Sequence, residues 1–322
     1  MNEGTVHISR EHILQAARRI ASYVNRTPVM TNATIDRMFD ARIFFKCENL
    51  QKVGAFKARG ATNAVRSLDP GQLANGVATH SSGNHAQALA WAASLAGTRA
   101  FIVMPSNSAR VKVEAVKGYG GIITFCEPTL EARESTLLKV LNQTGATEIH
   151  PYNHPAIIAG QATATLELAD DAGRPDLVIA PVGGGGLLSG TALAAYYFMQ
   201  GVRVMAAEPA EADDAFRSFT SRTFIPALKS DTIADGLRTS LGSITFPIIL
   251  QHVHEIVTVS EESIIRAMRF LWERMKLIVE PSAAVPFAAL MEGKTDIRGK
   301  RVGIILSGGN ADLDTLPWTR HG

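Results

Sequence analysis

The chain has 322 residues, is 46% hydrophobic and 19% charged, and carries a formal charge of +2. That balance excludes a disordered chain and a strongly basic nucleic-acid binder, and it leaves ample length to bury one core or two. No lysine and arginine run suits nucleic acid or a membrane surface, so the expected partner is a small molecule.

Along the chain, apolar Ile13, Ala16, Ala17 and Ile20 predict a helix over 12–23, with Ser9 placed to cap it. Thr27-Pro28-Val29 opens an extended segment, the apolar run 41–46 reads as a strand, and a helical pattern runs from Phe56 to about Leu68. Asp69-Pro70-Gly71 reads as a turn. Strands at 76–79, 101–104 and 122–125 then alternate with helices at 84–96, 109–117 and 130–144. A second alternating set begins near Ile149. It has helices at 156–170 and 187–198, strands at 177–181 and 202–207, helices at 260–275 and 282–291, and a last strand at 302–306. This alternation predicts parallel sheets with a site at the C-terminal ends of the strands. Leu177 to Met199 is uncharged and long enough to span a bilayer, but Pro181 and the following glycines interrupt it, so a strand, a turn and a buried helix are expected.

Cys47 and Cys126 lie far apart and form no C-x-x-C pair, which suits reduced thiols and a cytoplasmic protein. Residues 1–10 are polar and lack the apolar core of an export signal. His80, His85, His150, His154, His252 and His254 match no recognised metal spacing.

Three strand-to-helix junctions carry the chemistry. Cys47 to Ala61 reads C-E-N-L-Q-K-V-G-A-F-K-A-R-G-A, and Lys57 sits in it among Val53, Ala55, Phe56 and Ala58. Partial desolvation there lowers a lysine pKa and frees the amine to attack a carbonyl, as a Schiff-base lysine must. Taken alone, Lys57 reads equally as an exposed helix residue beside Arg59. Val182 to Ser189 reads V-G-G-G-G-L-L-S, and its consecutive glycines let N–H groups converge on a phosphate at a helix start. Two other readings stay open. One is a plain tight turn. The other is the dinucleotide loop of an NAD-dependent oxidoreductase, with Glu208 as the ribose acid and Ser189 where a third glycine belongs. Thr79 to Gln87 reads T-H-S-S-G-N-H-A-Q, whose Ser81, Ser82 and Asn84 either cap a helix or line a site.

In this order, G-A-F-K-A-R-G-A, S-S-G-N-H-A-Q, V-G-G-G-G and a late S-G-G-N resemble the pyridoxal-phosphate enzymes of the tryptophan synthase β type. Within that group they are most similar to the serine racemase, threonine dehydratase and 3-hydroxyaspartate dehydratase family, from about Ile13 to Asn310. The resemblance implies a two-domain α/β fold in which each domain is an open, twisted, mainly parallel sheet flanked by helices. Residues 1–67 and 152–322 would form the large cofactor-binding domain and 72–150 a small mobile domain inserted in it. A homodimer is implied as well.

The same resemblance implies that Lys57 carries pyridoxal 5'-phosphate and acts as general base. Phe56, Asn84, Gly183, Gly184, Gly185, Gly186, Leu187, Glu280 and Ser307 would bind the cofactor, Asn84 at its phenolic oxygen and Ser307 at its pyridine nitrogen. A hydroxyl cannot hold that nitrogen protonated as a carboxylate can, so prompt loss of a β-leaving group suits the site. Ser81, Ser82, Gly83, His85, Arg133 and Thr239 would meet the substrate, with Ser82 facing the α-carbon opposite Lys57. The implied activity is dehydration and deamination of serine, threonine or 3-hydroxyaspartate to a 2-keto acid and ammonia, with some racemisation; a dedicated serine racemase is the alternative. Arg133 or Arg238 would accept a second carboxylate. Glu208, the Ala212 carbonyl and Asp214 would hold Mg2+ or Ca2+. Tyr119, Gln87 and Lys276 match contacts to ATP as an allosteric effector. Ala55 departs from the serine of many relatives, and S-S-G-N-H departs from the S-A-G-N-H of many threonine dehydratases.

Overall fold

The computed structural model describes residues 7–227 and 230–319, so residues 1–6 of the polar N-terminal stretch lie outside the described residues. The strands in chain order are β1 (Val29–Met30), β2 (Arg42–Cys47), β3 (Val77–His80), β4 (Ala100–Pro105), β5 (Ile122–Cys126), β6 (Thr147–Glu148), β7 (Leu177–Pro181), β8 (Arg203–Pro209), β9 (Glu255–Val259) and β10 (Arg301–Leu306). They form a six-stranded sheet, β1-β2-β10-β7-β8-β9, and a four-stranded sheet, β5-β4-β3-β6. All pairings are parallel except β1 with β2. The two sheets with their helices make two parallel-sheet α/β domains.

Both faces of the larger sheet are covered, which is why β7 and β10 are nearly continuous apolar runs. The apolar helix Pro281–Met291 packs on one face with Glu261–Met275 outside it, and the helix Gly186–Phe198 packs on the other. The stretch that is uncharged from Leu177 to Met199 is thus a buried strand, a glycine turn and a buried helix. No helix among the described residues is long and apolar enough to cross a membrane.

Ser9 does cap the first helix, accepting from the His12 N–H. Asp69-Pro70-Gly71 is more than a turn: Asp69 forms a reciprocal capping box with Gln72, Pro70 takes the first helical position, and a helix runs Pro70–Asn75. The sequence pattern also misses the helices Ala33–Phe39, Asp214–Ser221 and Thr245–His252, which are short, and strand β9. The first two helices pack on strands of the large sheet, Thr245–His252 packs on the helix Gly186–Phe198, and β9 pairs with β8, so tertiary contacts rather than a long local period complete them.

Candidate active site

Loops leaving the C-terminal ends of β2, β3, β7, β8 and β10 carry the residues singled out above, as expected for open parallel sheets. β2 leads into a loop in which Val53 takes φ 53° and Gly54 φ 69°. A Cβ on Gly54 would also meet Asn310 Oδ1 at 2.5 Å, so the position needs glycine on two counts. Asn310 Nδ2 donates to the Val53 carbonyl and to Asn84 Oδ1, both at 2.8 Å. The Phe56 N–H donates to the Ser307 carbonyl at 3.0 Å and the Gly309 N–H to the Gly54 carbonyl at 2.9 Å. The S-G-G-N turn is therefore sewn to the Lys57 loop.

Lys57 begins the helix Lys57–Arg66 and is half-buried. Its Nζ donates to the Pro151 carbonyl at 2.7 Å and stands 5.2 Å from the Phe56 ring centre. Desolvation pushes its pKa down to about 8, against the pull of the Glu280 charge. Glu280 is buried, and both its carboxylate oxygens accept from Asn84 Nδ2, at 2.8 and 3.1 Å. Burial and then the charge of Asp235 raise the Glu280 pKa to about 7. Asp235 in turn pairs with Lys112, which reaches across from the small domain. Asn84 is thus fixed in orientation by Glu280 on its amide nitrogen and Asn310 on its oxygen.

The loop of Gly183, Gly184, Gly185 and Gly186 follows β7. A Cβ on Gly184 would lie 2.3–2.4 Å from the Tyr152 ring, and one on Gly183 2.8 Å from Leu237 Cα. Thr245 Oγ1 donates to the Gly184 carbonyl at 2.9 Å, which fixes the loop from behind. Leu187 sends its side chain into the apolar core and is available to a ligand only through its N–H. Ser307 is buried at the end of β10.

On the other side, Ser81, Ser82, Gly83 and Asn84 are half-buried at the start of the helix Asn84–Ala96. Ser81 Oγ accepts from the Gly83 N–H at 3.3 Å, and a Cβ on Gly83 would meet nothing within 4 Å. The loop opens onto free space with helix N–H groups facing it. His85 is buried; its Nε2 donates to the Ile149 carbonyl at 3.0 Å, and its Nδ1 has no partner among the described residues. Burial holds the His85 pKa well below its usual value and pushes that of His150 down to about 4. Sequence reasoning missed His150 and Pro151, whose clue was the proline-flanked run H-P-Y-N-H-P between β6 and the helix Pro155–Ala172.

Arg133 has one bond, from its Nε to the Thr129 carbonyl at 3.4 Å, and no acidic partner among the described residues. Arg238 braces its own loop: two of its nitrogens donate to the Thr232 carbonyl, Nε at 2.9 Å. Thr239, beside it, is half-buried and lies near the Tyr152 phenol. Glu208 is fully buried and accepts from the Ala215 and Phe216 N–H groups at 3.0 and 2.7 Å, so it caps the next helix instead of facing a ribose. Burial pushes its pKa up to about 9. Asp214 is 1% exposed with neither carboxylate oxygen bonded among the described residues, and Ala212 is buried in the turn between the two acids. No cluster of three or more His, Cys, Asp or Glu side chains forms a metal cage among the described residues. Gln87 is buried and Tyr119 packs against the same small-domain core, while Lys276 donates to the Glu273 carbonyl at 2.7 Å.

Residues 6–308 match the family described as pyridoxal-phosphate dependent enzyme. A β-hydroxyaspartate dehydratase of Paracoccus denitrificans is 47% identical over 96% of this chain and 98% of its own length. The crystal structure of serine racemase from Dictyostelium discoideum superposes with a TM-score of 0.90 at 47% identity, over 96% of this chain and all of that one. A maize serine racemase structure superposes with a TM-score of 0.93 at 44% identity, over 98% of this chain and 97% of that one. A match of this extent leaves no room for the dinucleotide-binding alternative, and the chain belongs to the pyridoxal-phosphate dependent enzyme family.

Proposed function

We propose that this protein is a pyridoxal-phosphate dependent ammonia-lyase acting on 3-hydroxyaspartate, with serine as a lesser substrate and some racemisation alongside. The reading is carried by the desolvated Lys57 amine, which is held by a backbone carbonyl and no ion pair among the described residues, between a glycine cradle and the N-terminus of the helix Asn84–Ala96. Those residues fit the cofactor: the amine suits its aldehyde, and the cradle, where side chains would collide with Tyr152 and Leu237, suits its phosphate. Lys57 would anchor it, Gly183, Gly184, Gly185, Gly186 and Leu187 would hold the phosphate, Asn84 the phenolic oxygen and Ser307 the pyridine nitrogen, with Phe56 beside the ring and Glu280 fixing Asn84. When bound, the cofactor would draw electrons from the substrate α-carbon.

The chain's own groups then divide the work. The N–H groups and hydroxyls of Ser81, Ser82, Gly83 and His85 take the α-carboxylate. Lys57, neutral above about pH 8, removes the α-proton. If the β-hydroxyl takes up a proton and leaves as water, the resulting enamine becomes an imine, which a second water hydrolyses to a 2-keto acid and ammonia. If Ser82 returns a proton to the opposite face, the enantiomer forms. Arg133, without an acidic partner among the described residues, supplies a charge for the second carboxylate that serine lacks.

Several finer assignments belong to the same proposal. Residues 1–67 and 152–322 form the large domain and 72–150 the small one, which moves over the substrate. Glu208, the Ala212 carbonyl and Asp214 bind Mg2+ or Ca2+, supported by the two unbonded, buried oxygens of Asp214. ATP binds at Gln87, Tyr119 and Lys276 as an effector, and the protein works as a cytoplasmic homodimer. The test is ammonia release from L-serine, D-serine, L-threonine and the threo and erythro 3-hydroxyaspartates. Preference for a hydroxyaspartate supports the reading; D-serine accumulating from L-serine with little ammonia would replace it with a serine racemase.

A further inference from the structure

One side chain at the centre of the site has no role in the account above. Tyr152 lies one peptide unit beyond the Pro151 carbonyl that holds the Lys57 amine. Its ring lies against the glycine cradle so tightly that a Cβ on Gly184 would overlap three ring carbons, and a Cβ on Gly186 would come within 2.9 Å of Tyr152 Cβ. The cradle is glycine partly to admit this ring.

The ring is held on its other sides too. His150 packs edge-on at 4.6 Å and 90°. His150 Nδ1 accepts from the N–H groups of Tyr152 and Asn153, at 3.3 and 2.9 Å, which puts the imidazole proton on Nε2 and fixes both rings. Thr239, from the loop that also braces Arg238, lies near the phenol. The phenol and the Thr239 hydroxyl each carry an O–H that can donate. The field of Arg133 falls on Tyr152, opposed by Asp214 and Glu134, and on His80, opposed by Glu134; the His80 ring stands 6.4 Å from that of His150. Burial raises the phenol pKa, so Tyr152 stays protonated, a donor, through neutral pH.

We propose that Tyr152, together with Thr239, is a specificity-determining residue that donates a hydrogen bond to the second carboxylate of a four-carbon amino dicarboxylate which Arg133 attracts. The proposal rests on the reading of the site as one for 3-hydroxyaspartate. Its physical basis is that a guanidinium alone is a diffuse attraction, whereas a phenol on the residue after the Pro151 carbonyl, its ring held by Gly184 and His150, fixes where the carboxylate stops. A hydrogen bond to a charged group is also stronger than one between neutral partners.

The test uses holoenzyme carrying Tyr152→Phe, with Thr239→Val as a second variant, and compares each with the unaltered enzyme. Two readouts are taken: kcat/KM for ammonia release from 3-hydroxyaspartate and from serine, and calorimetric affinity for succinate against butyrate. Loss of a charge-assisted hydrogen bond should lower the hydroxyaspartate-to-serine ratio by about 10- to 100-fold, and the succinate-to-butyrate ratio in parallel. Ratios that stay within about threefold of the unaltered enzyme, or equal losses on both substrates, would overturn the proposal and leave Tyr152 as packing for the cradle. If the unaltered enzyme prefers serine, the functional reading fails by itself. The succinate-to-butyrate ratio of Tyr152→Phe then still decides whether the phenol reads a second carboxylate.

Discussion

Lys57 and Arg59 are cations on the first turn of one helix, and their surroundings are opposite. Arg59 is fully buried and saturated: Nε donates to Glu48 at 2.7 Å, while Nη1 and Nη2 donate to Glu167, each at 2.7 Å. Lys46, also fully buried, joins Glu167 at 2.6 Å and the Thr27 carbonyl at 2.7 Å. Burial pulls the Arg59 pKa down, but Glu48 and Glu167 outweigh it and hold the guanidinium charged. Lys57 has burial without the partners, and its pKa falls. The same cost of desolvation is offset where the charge holds the fold and left unopposed where a neutral amine is wanted.

Removing each cation should therefore separate activity from stability. Lys57→Ala is expected to lower ammonia release by at least about 10²- to 10⁴-fold, the range of a lost acid–base group. Melting of the cofactor-free Lys57→Ala protein should be no lower than that of the unaltered chain, because no ion pair is lost. Arg59→Met should do the reverse. It strands the fully buried Glu48, while Lys46 still pairs with Glu167, and is expected to cost about 3–5 kcal/mol in denaturant unfolding. If Lys57→Ala were the less stable of the two, the contrast would collapse.

A weaker lever acts on the cradle. Gly184→Ala forces the Tyr152 ring away from the loop. Overpacking of about 1–3 kcal/mol corresponds to roughly 5- to 150-fold weaker cofactor binding, measured by titrating the apoprotein. The smallest effect is that of pH. The amine is cationic below about pH 8 and neutral above it, so recombination of apoprotein with cofactor should speed up with rising pH and level off beyond that point. Between pH 7 and 8 the gain should be roughly fivefold, as the neutral fraction rises. A rate that is flat across this range would mean that the amine is not desolvated.

The difference between the two cations also marks what a sequence can reveal. Lys57 is legible because a strand, a glycine and a helix start leave that lysine at a junction, and the glycine loop after β7 is legible because so few side chains permit its close contacts. Arg59 carries no local sign of its burial: its partners are 11 and 108 residues away. Nor does the sequence show that the Thr232 carbonyl takes two nitrogens of Arg238. The parallel sheets followed from alternation of period and punctuation, whereas the helices Ala33–Phe39, Asp214–Ser221 and Thr245–His252 are too short to show a period. Tyr152 was invisible because the contact that defines it, with Gly184, exists only after folding.

The central claim is that Lys57, and no other lysine, carries the cofactor. The most direct measurement is to load the protein with pyridoxal phosphate, reduce it with borohydride, digest it and locate the pyridoxyl label by mass spectrometry. The label is predicted on Lys57 alone, with loss of the visible cofactor absorbance. A label on Lys46 or Lys52, or ammonia release that survives reduction with no label on Lys57, would contradict it.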